Sequence, residues 1–407
     1  MVLNGKSILL GVTGGIAAYK SAELVRLLVK AGATVQVVMT ANAQQFITPL
    51  TLQVLSEQPV CTNLFDLEFE SQIGHIQVAR AAHLVVLAPA TANVIAKYAA
   101  GIADDYLTTV LLATTAPVLV CPAMNTKMYE NQATRRNLET LRAFGSHILE
   151  PSIGTLACKE EGTGRLAELS DITEVIKHIL TPATLKGKQV LVSSGPTWEM
   201  FDPVRFISNP SSGKMGYAVA QVAARRSAEV HLVSGPVSLP APYGINLHRV
   251  TTALEMHDLI TDLAPQMDVI VMAAAVGDYR PAQMLPQKLK KIPGDLNITL
   301  LNNPDILAKL GQSRSRTRQQ ILVGFAAETE NLIENATKKL KEKNLDFIVA
   351  NNLTQSGSGF GSDTNQVKII DSSGNCTELP CLLKEEVAER VWDRIENLLA
   401  RSHPETL

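Results

Sequence analysis

Cysteine is scarce in this chain: five residues in 407 (Cys61, Cys121, Cys158, Cys376 and Cys381), odd in number and scattered. Such spacing builds neither a disulfide framework nor a four-ligand zinc site, because Cys376 and Cys381 lack a second pair. An excess of charge of one sign is also missing. The formal net charge is −2, which gives no reason to expect nucleic acid or an anionic membrane as a partner. No apolar run approaches the roughly 18 residues of a membrane span. The opening stretch MVLNGKSILLGV, with one Lys and an apolar segment broken by Gly, does not read as a signal peptide. The expectation is a cytoplasmic protein. Hydrophobic residues make up 46% of the chain, and the length favours two domains over one.

Short apolar runs alternate with helix-length segments. Ile8–Val12 is followed by a helical pattern over about residues 17–31, then by ATVQVVMT, HLVVLAP and PVLVCPA. A second series runs KQVLVSSGP, AEVHLVSGP, DVIVMAAA, QILVGFAAE and DFIVANN. These runs are apolar throughout rather than alternating, the pattern of parallel strands covered on both faces. Each ends in small or polar residues, where open α/β sheets place ligand crevices. The expected fold class is α/β, with two doubly wound, mainly parallel, Rossmann-like sheets. TPATLKGK (181–188) has no apolar periodicity and reads as a linker between domains at 1–180 and 189–407. TQSGSGFGSD (354–363) reads as a mobile loop.

The first strand runs into GVTGGIAAYK (11–20). A dinucleotide fingerprint needs G-x-G-x-x-G and an acidic residue about 20 positions later. Here the glycines are Gly11, Gly14 and Gly15, and the next strand ends at Met39–Thr40 without a carboxylate. The dinucleotide reading fails on both counts, leaving a single phosphate or plain turn geometry. Nearby stand APATANVIAKYAAGIADDYLTTVLLA (88–113), CPAMNTKMY (121–129), His75 in IGHIQVAR, and the glycine-rich GTLACKEEGTGR (154–165), which holds Cys158 as a movable flap would.

These motifs resemble the homo-oligomeric flavin-containing cysteine decarboxylases, and in particular their two-domain branch that joins phosphopantothenoylcysteine decarboxylase to phosphopantothenate–cysteine ligase in coenzyme A biosynthesis. The likeness covers nearly the whole chain, and PAMN-x-x-M with the His and the Cys flap carries it. It implies a flavodoxin-like first half that binds FMN. Gly14, Gly15 and Ile16 would take the phosphate, and Thr40, Ala90, Thr91, Ala92, Asn93 and Thr108 would line the flavin. A flavin can take a hydride from the cysteinyl thiol and return it after CO₂ has left. His75 would be the acid/base acting on the thiol, since imidazole titrates near neutrality, against a bland reading as a capping or core histidine. Asn125 would bind the substrate carboxylate, against a loop amide satisfying its own backbone. Cys158 would donate the proton to the ene-thiolate, against an inert small hydrophobe.

The second half is no Walker motif, because Gly213-Lys214 lacks the upstream glycine and is followed by Met215. Through FISNPSSGKMG, AAAVGDY, NPDI and GFAAET it resembles the ligase, which uses CTP to activate 4′-phosphopantothenate as an acyl-cytidylate that the cysteine amine attacks. The resemblance implies that Asn209 grips the acyl-cytidylate and Lys288 contacts the triphosphate. Ala273, Ala274, Ala275, Asp278, Asn303, Pro304, Asp305, Ile306 and Phe325 would form the cytidine and ribose pocket. Lys339 and Lys343 share a helix face as a phosphate-binding pair, against solvated surface charges. Mg²⁺ would offset the phosphate charge, with Asp278 as its ligand.

The chain departs from the family's usual pattern at three places: Lys159 where relatives usually carry Gly, His83 where many carry Asp, and Thr197-Trp198-Glu199-Met200 where they usually read Thr-Arg-Glu-Pro. The third removes a cation that Arg205 would have to replace. Expected assembly is homo-oligomeric, with trimers through the flavin half, flavin sites at their interfaces, dimers through the ligase half, and together a dodecamer. The alternatives are a flavin-dependent decarboxylase or prenyltransferase acting on another substrate, and a non-enzymatic flavin-binding regulatory subunit. Neither accounts for the nucleotide motifs of the second half, and His75, Asn125 and Cys158 together speak against the regulatory reading.

Overall fold

A computed structural model of the chain describes residues 3–65, 74–157, 159–290, 296–314, 320–328, 330–352, 359 and 361–401. Two compact units divide it, Met1–Pro182 and Ala183–Leu407.

In the first unit the strands β1 (Ser7–Val12), β2 (Thr34–Met39), β3 (Leu84–Ala90), β4 (Val118–Pro122) and β5 (His147–Ile148) form one parallel sheet in the order β2-β1-β3-β4-β5. β3, of sequence LVVLAPA, is buried at every position, because helices cover both faces. On one face Ile8, Leu10 and Val86 pack with Leu24 and Leu28 of α1 (Lys20–Lys30), Leu52 of α2 (Pro49–Ser56) and Ile172 and Ile176 of α8 (Leu169–Leu180). On the other, Leu9, Val85 and Leu87 meet Ala79 of α3 (Gly74–Ala81), Ile95 of α4 (Ala92–Ala99), Leu107 of α5 (Tyr106–Ala113) and Leu138 of α7 (Gln132–Ala143). Adjacent strand residues thus feed opposite cores, and each fully buried Leu or Ile contributes about 1.5–3 kcal/mol. A short helix, α6 (Thr126–Glu130), and an antiparallel hairpin, β6 (Ser152–Thr155) with β7 (Glu161–Arg165), stand beside the carboxyl edge of the sheet. The helix predicted over 17–31 begins later. Ile16–Tyr19 forms a tight 3₁₀ turn after an extended Gly15 that offers no side-chain cap, and α1 starts at Lys20.

The second unit is built on an eight-stranded sheet. Its parallel part comprises β8 (Gln189–Ser194), β11 (Glu229–Ser234), β12 (Asn246–Arg249), β13 (Val269–Met272), β16 (Ile321–Glu328) and β17 (Phe347–Asn352). Two antiparallel strands, β19 (Val367–Asp371) and β20 (Cys376–Glu378), extend it. Sequence reasoning picked out neither: β20 is exposed at all its residues and carries no apolar signal, whereas the apolar VKIID of β19 was passed over. One face holds α9 (Lys214–Arg225) and α13 (Lys384–Arg401), joined by the Trp392 indole N–H on the Val219 carbonyl at 2.9 Å. The other holds α10 (Ala253–Leu263), α11 (Ile306–Ser313) and α12 (Leu332–Glu342). Small hairpins, β9 (Glu199–Met200) with β10 (Phe206–Ile207), β14 (Tyr279–Pro281) with β15 (Leu300–Asn302), and β18 (Thr364–Asn365) with β21 (Leu382–Leu383), complete the unit. Most of the loop at 354–363 lies outside the described residues.

Candidate active sites

The first crevice lies where β1 and β3 end. Thr13 stitches these ends together: its Oγ1 donates to the Pro89 carbonyl at 2.8 Å and accepts from the Thr91 N–H at 3.0 Å. Ser21 adds a 2.7 Å bond to the Ala88 carbonyl. The turn between is pressed against the loop after β2, where a Cβ at Gly14 would overlap Asn42, so glycine is required there. The cavity above this turn measures about 1080 Å³ and is lined by Gly14, Gly15, Ile16, Thr40, Thr91, Ala92, Asn93 and Asn125 among the predicted residues. A turn of this shape leading into a helix presents N–H groups to an anion, and its cradle fits a phosphate.

Two predicted flavin residues do not line the cavity. Ala90 is buried within β3, and Thr108 is occupied in capping α5, its Oγ1 accepting from the Asp105 N–H at 3.1 Å while its own N–H donates to Asp105 Oδ1 at 2.8 Å. Asp105 is the one that reaches the cavity, next to Asp104 and Lys97. The Lys97 ammonium, 2.8 Å from Asp104, holds that carboxyl below its ordinary range. His75 stands within α3, half-buried and edge-on to the Tyr106 ring at 6.5 Å, and is not among the residues lining this cavity. His83 accepts from the Ser7 N–H at 3.0 Å, a link between β1 and the chain entering β3. Cys121 is fully buried, which pushes its thiol far above the ordinary range and leaves it inert.

Asn125 is set with unusual definition. It is the N-cap of α6, and its Oδ1 accepts from the Lys127 N–H at 2.8 Å. With the carbonyl so engaged, the NH₂ side faces outward. The β6–β7 hairpin closes over it: the Met124 N–H donates to the Gly164 carbonyl at 2.9 Å, and Leu156, Ala157, Gly164 and Arg165 complete the cavity wall. Cys158 itself lies outside the described residues. Lys159 has φ +66, in the left-handed region. A side chain in that conformation costs about 1–2 kcal/mol, which a glycine would avoid.

The second crevice, about 780 Å³, brings together Asn209, Ala273, Ala274, Ala275, Asp278, Asn303, Pro304, Asp305, Ile306, Phe325, Lys339 and Lys343. The small residues after β13 let the backbone close on β8: the Ala274 N–H donates to Ser193 Oγ at 3.1 Å and the Ala275 N–H to the Gly195 carbonyl at 2.8 Å. Asn209 Nδ2 donates to the Ala275 and Val276 carbonyls at 3.1 Å each. Asn303 is fixed by its N–H on the Asp278 carbonyl and its Nδ2 on the Gly277 carbonyl, both at 2.8 Å. Asp305 caps α11, and Lys343, which caps the C-terminus of α12, approaches it to 2.9 Å. Burial pushes the Asp305 carboxyl up, but the Lys343 ammonium and the Ala308 N–H outweigh it, and the net shift is downward.

Sequence reasoning missed two cavity lysines. Lys214 opens α9 and reaches Asp363 at 2.6 Å, while Lys384, nearly buried, opens α13 and donates to the Ser362 carbonyl. Burial, then the neighbouring Lys214, lowers the Lys384 ammonium. Lys214 follows the SSG turn and could have been picked out; Lys384 sits in no motif.

Lys288 is exposed on the segment after β14, outside the residues lining the cavity. The next residue, Leu289, is tied to the β9–β10 hairpin: its N–H donates to Asp202 Oδ2 at 3.1 Å and its carbonyl accepts from Arg205 at 2.8 Å. Arg205 also donates through Nε to Asp202 at 2.9 Å, so its guanidinium is committed, and Trp198, in place of the family's cation, stacks on Phe206 at 4.3 Å. The Arg205 guanidinium, with three backbone N–H groups, holds Asp202 well below the usual carboxylate range. A depressed folded value stabilises the fold above the unfolded pKa near 3.8 and loses that contribution as pH falls below it. The difference in urea midpoint between wild type and Asp202→Asn is therefore expected to hold from about pH 7 to about pH 5 and to shrink below about pH 4. A difference unchanged across that range would refute the pairing.

Among the described residues no helix is long and apolar enough to cross a membrane, and no group of three His, Cys, Asp or Glu could hold a metal ion. Comparison with known families gives two matches: the model described as Flavoprotein covers residues 2–181, and the one described as DNA/pantothenate metabolism flavoprotein C-terminal domain covers 185–399. The coenzyme A biosynthesis bifunctional protein of Vibrio vulnificus is 46% identical over 98% of this chain and 99% of its own length. Its namesakes from Bacillus subtilis and Escherichia coli K12 are 46% and 47% identical, over 98% and 97% of this chain and 98% of each relative.

Proposed function

Since the chain belongs to the bifunctional coenzyme A biosynthesis family, a ligase and a decarboxylase in one polypeptide, we propose that its two crevices divide the work as follows. In the first, the Gly14–Ile16 turn takes the phosphate of FMN and Thr40 with Thr91–Asn93 lines the rest of the cofactor. Bound there, the flavin supplies a reversible hydride acceptor, which turns a cysteinyl carboxylate into a group that can lose CO₂. The Asn125 amide binds and orients that carboxylate, and this reading rests on one observation above all: capping α6 leaves Asn125 only donors to offer. His75 moves a proton at the substrate thiol, and Cys158 returns one to the ene-thiolate. His75 stands apart from its own chain's cavity, as a residue would that completes the site of a neighbouring copy. Trimers through this half supply such a neighbour, and dimers through the ligase half extend them to a dodecamer in the cytoplasm.

In the second crevice 4′-phosphopantothenate attacks the α-phosphorus of CTP, pyrophosphate leaves, and the cysteine amine displaces CMP from the acyl-cytidylate. Asn209 holds the mixed anhydride, and the Ala273–Ala275 backbone, Asn303–Ile306 and Phe325 hold cytidine and ribose. Lys339 and Lys343, with Lys288 brought in from its exposed segment, hold the phosphates. Asp278 fits Mg²⁺ only as a single protein ligand, with phosphate oxygens and water supplying the rest.

The test is one incubation with CTP, Mg²⁺, cysteine and 4′-phosphopantothenate, followed by mass spectrometry. Appearance of 4′-phosphopantetheine with stoichiometric pyrophosphate and CMP supports both halves. Accumulation of 4′-phosphopantothenoylcysteine by flavin-loaded enzyme refutes the first assignment, and absence of pyrophosphate refutes the second.

A further inference from the structure

The Asn125 amide already holds a carboxylate. Its Nδ2 donates to Glu160 Oε2 at 3.0 Å. Glu160 lies between β6 and β7, where the Leu156 N–H donates to its carbonyl at 2.8 Å. The two partners are held differently. Asn125 is anchored by its cap on α6, whereas the Glu160 side chain is exposed and rides on a hairpin docked through its backbone at Gly164. The hairpin cannot shift sideways to take the carboxylate elsewhere, because Gly162 is seated directly on Thr126 and Gly164 on Met124. The carboxylate itself is exposed, and a carboxylate contact made by an exposed side chain is weak and readily exchanged.

Resting on the reading that Asn125 receives the substrate carboxylate, we propose that Glu160 is a built-in competitor for that amide. It keeps the donor satisfied until a substrate carboxylate displaces it. Exchange of one carboxylate for another makes Glu160 a specificity-determining residue: it sets a threshold that only a ligand carrying the carboxylate must cross. Once that group has left as CO₂, Glu160 returns to the amide and the product has lost its hold.

Steady-state kinetics of the flavin-loaded enzyme test this with two ligands that differ only in the carboxylate. These are 4′-phosphopantothenoylcysteine, read by KM, and 4′-phosphopantetheine, read by its inhibition constant. Glu160→Ala is expected to lower KM roughly threefold to tenfold and Glu160→Gln by less, each leaving the inhibition constant in place. Asn125→Ala is expected to raise KM alone, and adding Glu160→Ala to it should change nothing further. If Asn125→Ala shifts both constants alike, the carboxylate reading itself falls. If it shifts KM alone while Glu160→Ala leaves KM unchanged or raises it, that reading stands and the competitor is overturned.

Discussion

Asn125→Asp is expected to lower kcat/KM for decarboxylation roughly a thousandfold while the protein stays folded and yellow. The substitution is nearly isosteric, and Asp caps a helix as well as Asn does, so the Lys127 N–H keeps its acceptor. What changes is the outward group. A donor becomes an acceptor facing both Glu160 and the incoming carboxylate. The lost charge-assisted bond is worth about 1.5–3 kcal/mol, and like charges about 4 Å apart near a protein surface add a repulsion of similar size. Crowded carboxylates also raise each other's pKa, so the variant should regain activity as pH falls and the new Asp becomes protonated and able to donate. Loss of less than about tenfold near neutral pH, or activity that falls further on acidification, would refute the role given to Asn125.

Gly235→Ala is expected to abolish most ligase activity and leave decarboxylation of added 4′-phosphopantothenoylcysteine intact. A Cβ at Gly235 would overlap the Pro196 carbonyl, and backbone cannot rotate out of the way as a side chain can. Pro196 is bridged to Ala275, whose carbonyl receives the Asn209 amide. The push on Pro196 therefore passes by way of Ala275 to Asn209. Overpacking of this kind costs about 3 kcal/mol of stability, and a displacement of about 1 Å at a reacting group costs roughly a hundredfold in rate. Both are measurable on one sample, by urea unfolding and by pyrophosphate release. Equal loss in the two activities would show that the damage is not confined to the ligase unit.

Strands buried on both faces are continuous apolar runs, so β1, β3, β8 and β13 were legible from hydrophobicity alone. β20 was not, because an exposed edge strand has no such signature; β19, an interior strand with Val367, Ile369 and Ile370 buried, carried an apolar signal in VKIID that sequence reasoning passed over. The first crevice was legible through glycine spacing, the missing carboxylate after β2, and PAMN. Which way a neighbouring residue faces was not. Ala90 and Thr91 are adjacent, yet one is sealed in β3 and the other lines the cavity, and Thr108 looked available until its capping partner Asp105 was visible. Motifs fix neighbours along the chain, while Lys384 reaches its crevice only because α13 folds back over the sheet. The same limit hid the fate of Arg205, whose guanidinium is taken by Asp202.

α13 also sets when each half can become a folded object. The first sheet is complete once Ile148 has been made, and its last covering helix ends at Leu180. The second keeps an apolar face open until Val387, Val391, Trp392 and Ile395 arrive to cover α9 and the strands beneath it. During synthesis, which proceeds from the N-terminus, the flavin unit can therefore fold while more than half of the polypeptide is still unmade. The ligase unit has to wait with its core exposed to chaperones and proteases, and a ribosome that stalls between Leu180 and Lys384 releases a folded first unit carrying an unfinished, sticky tail.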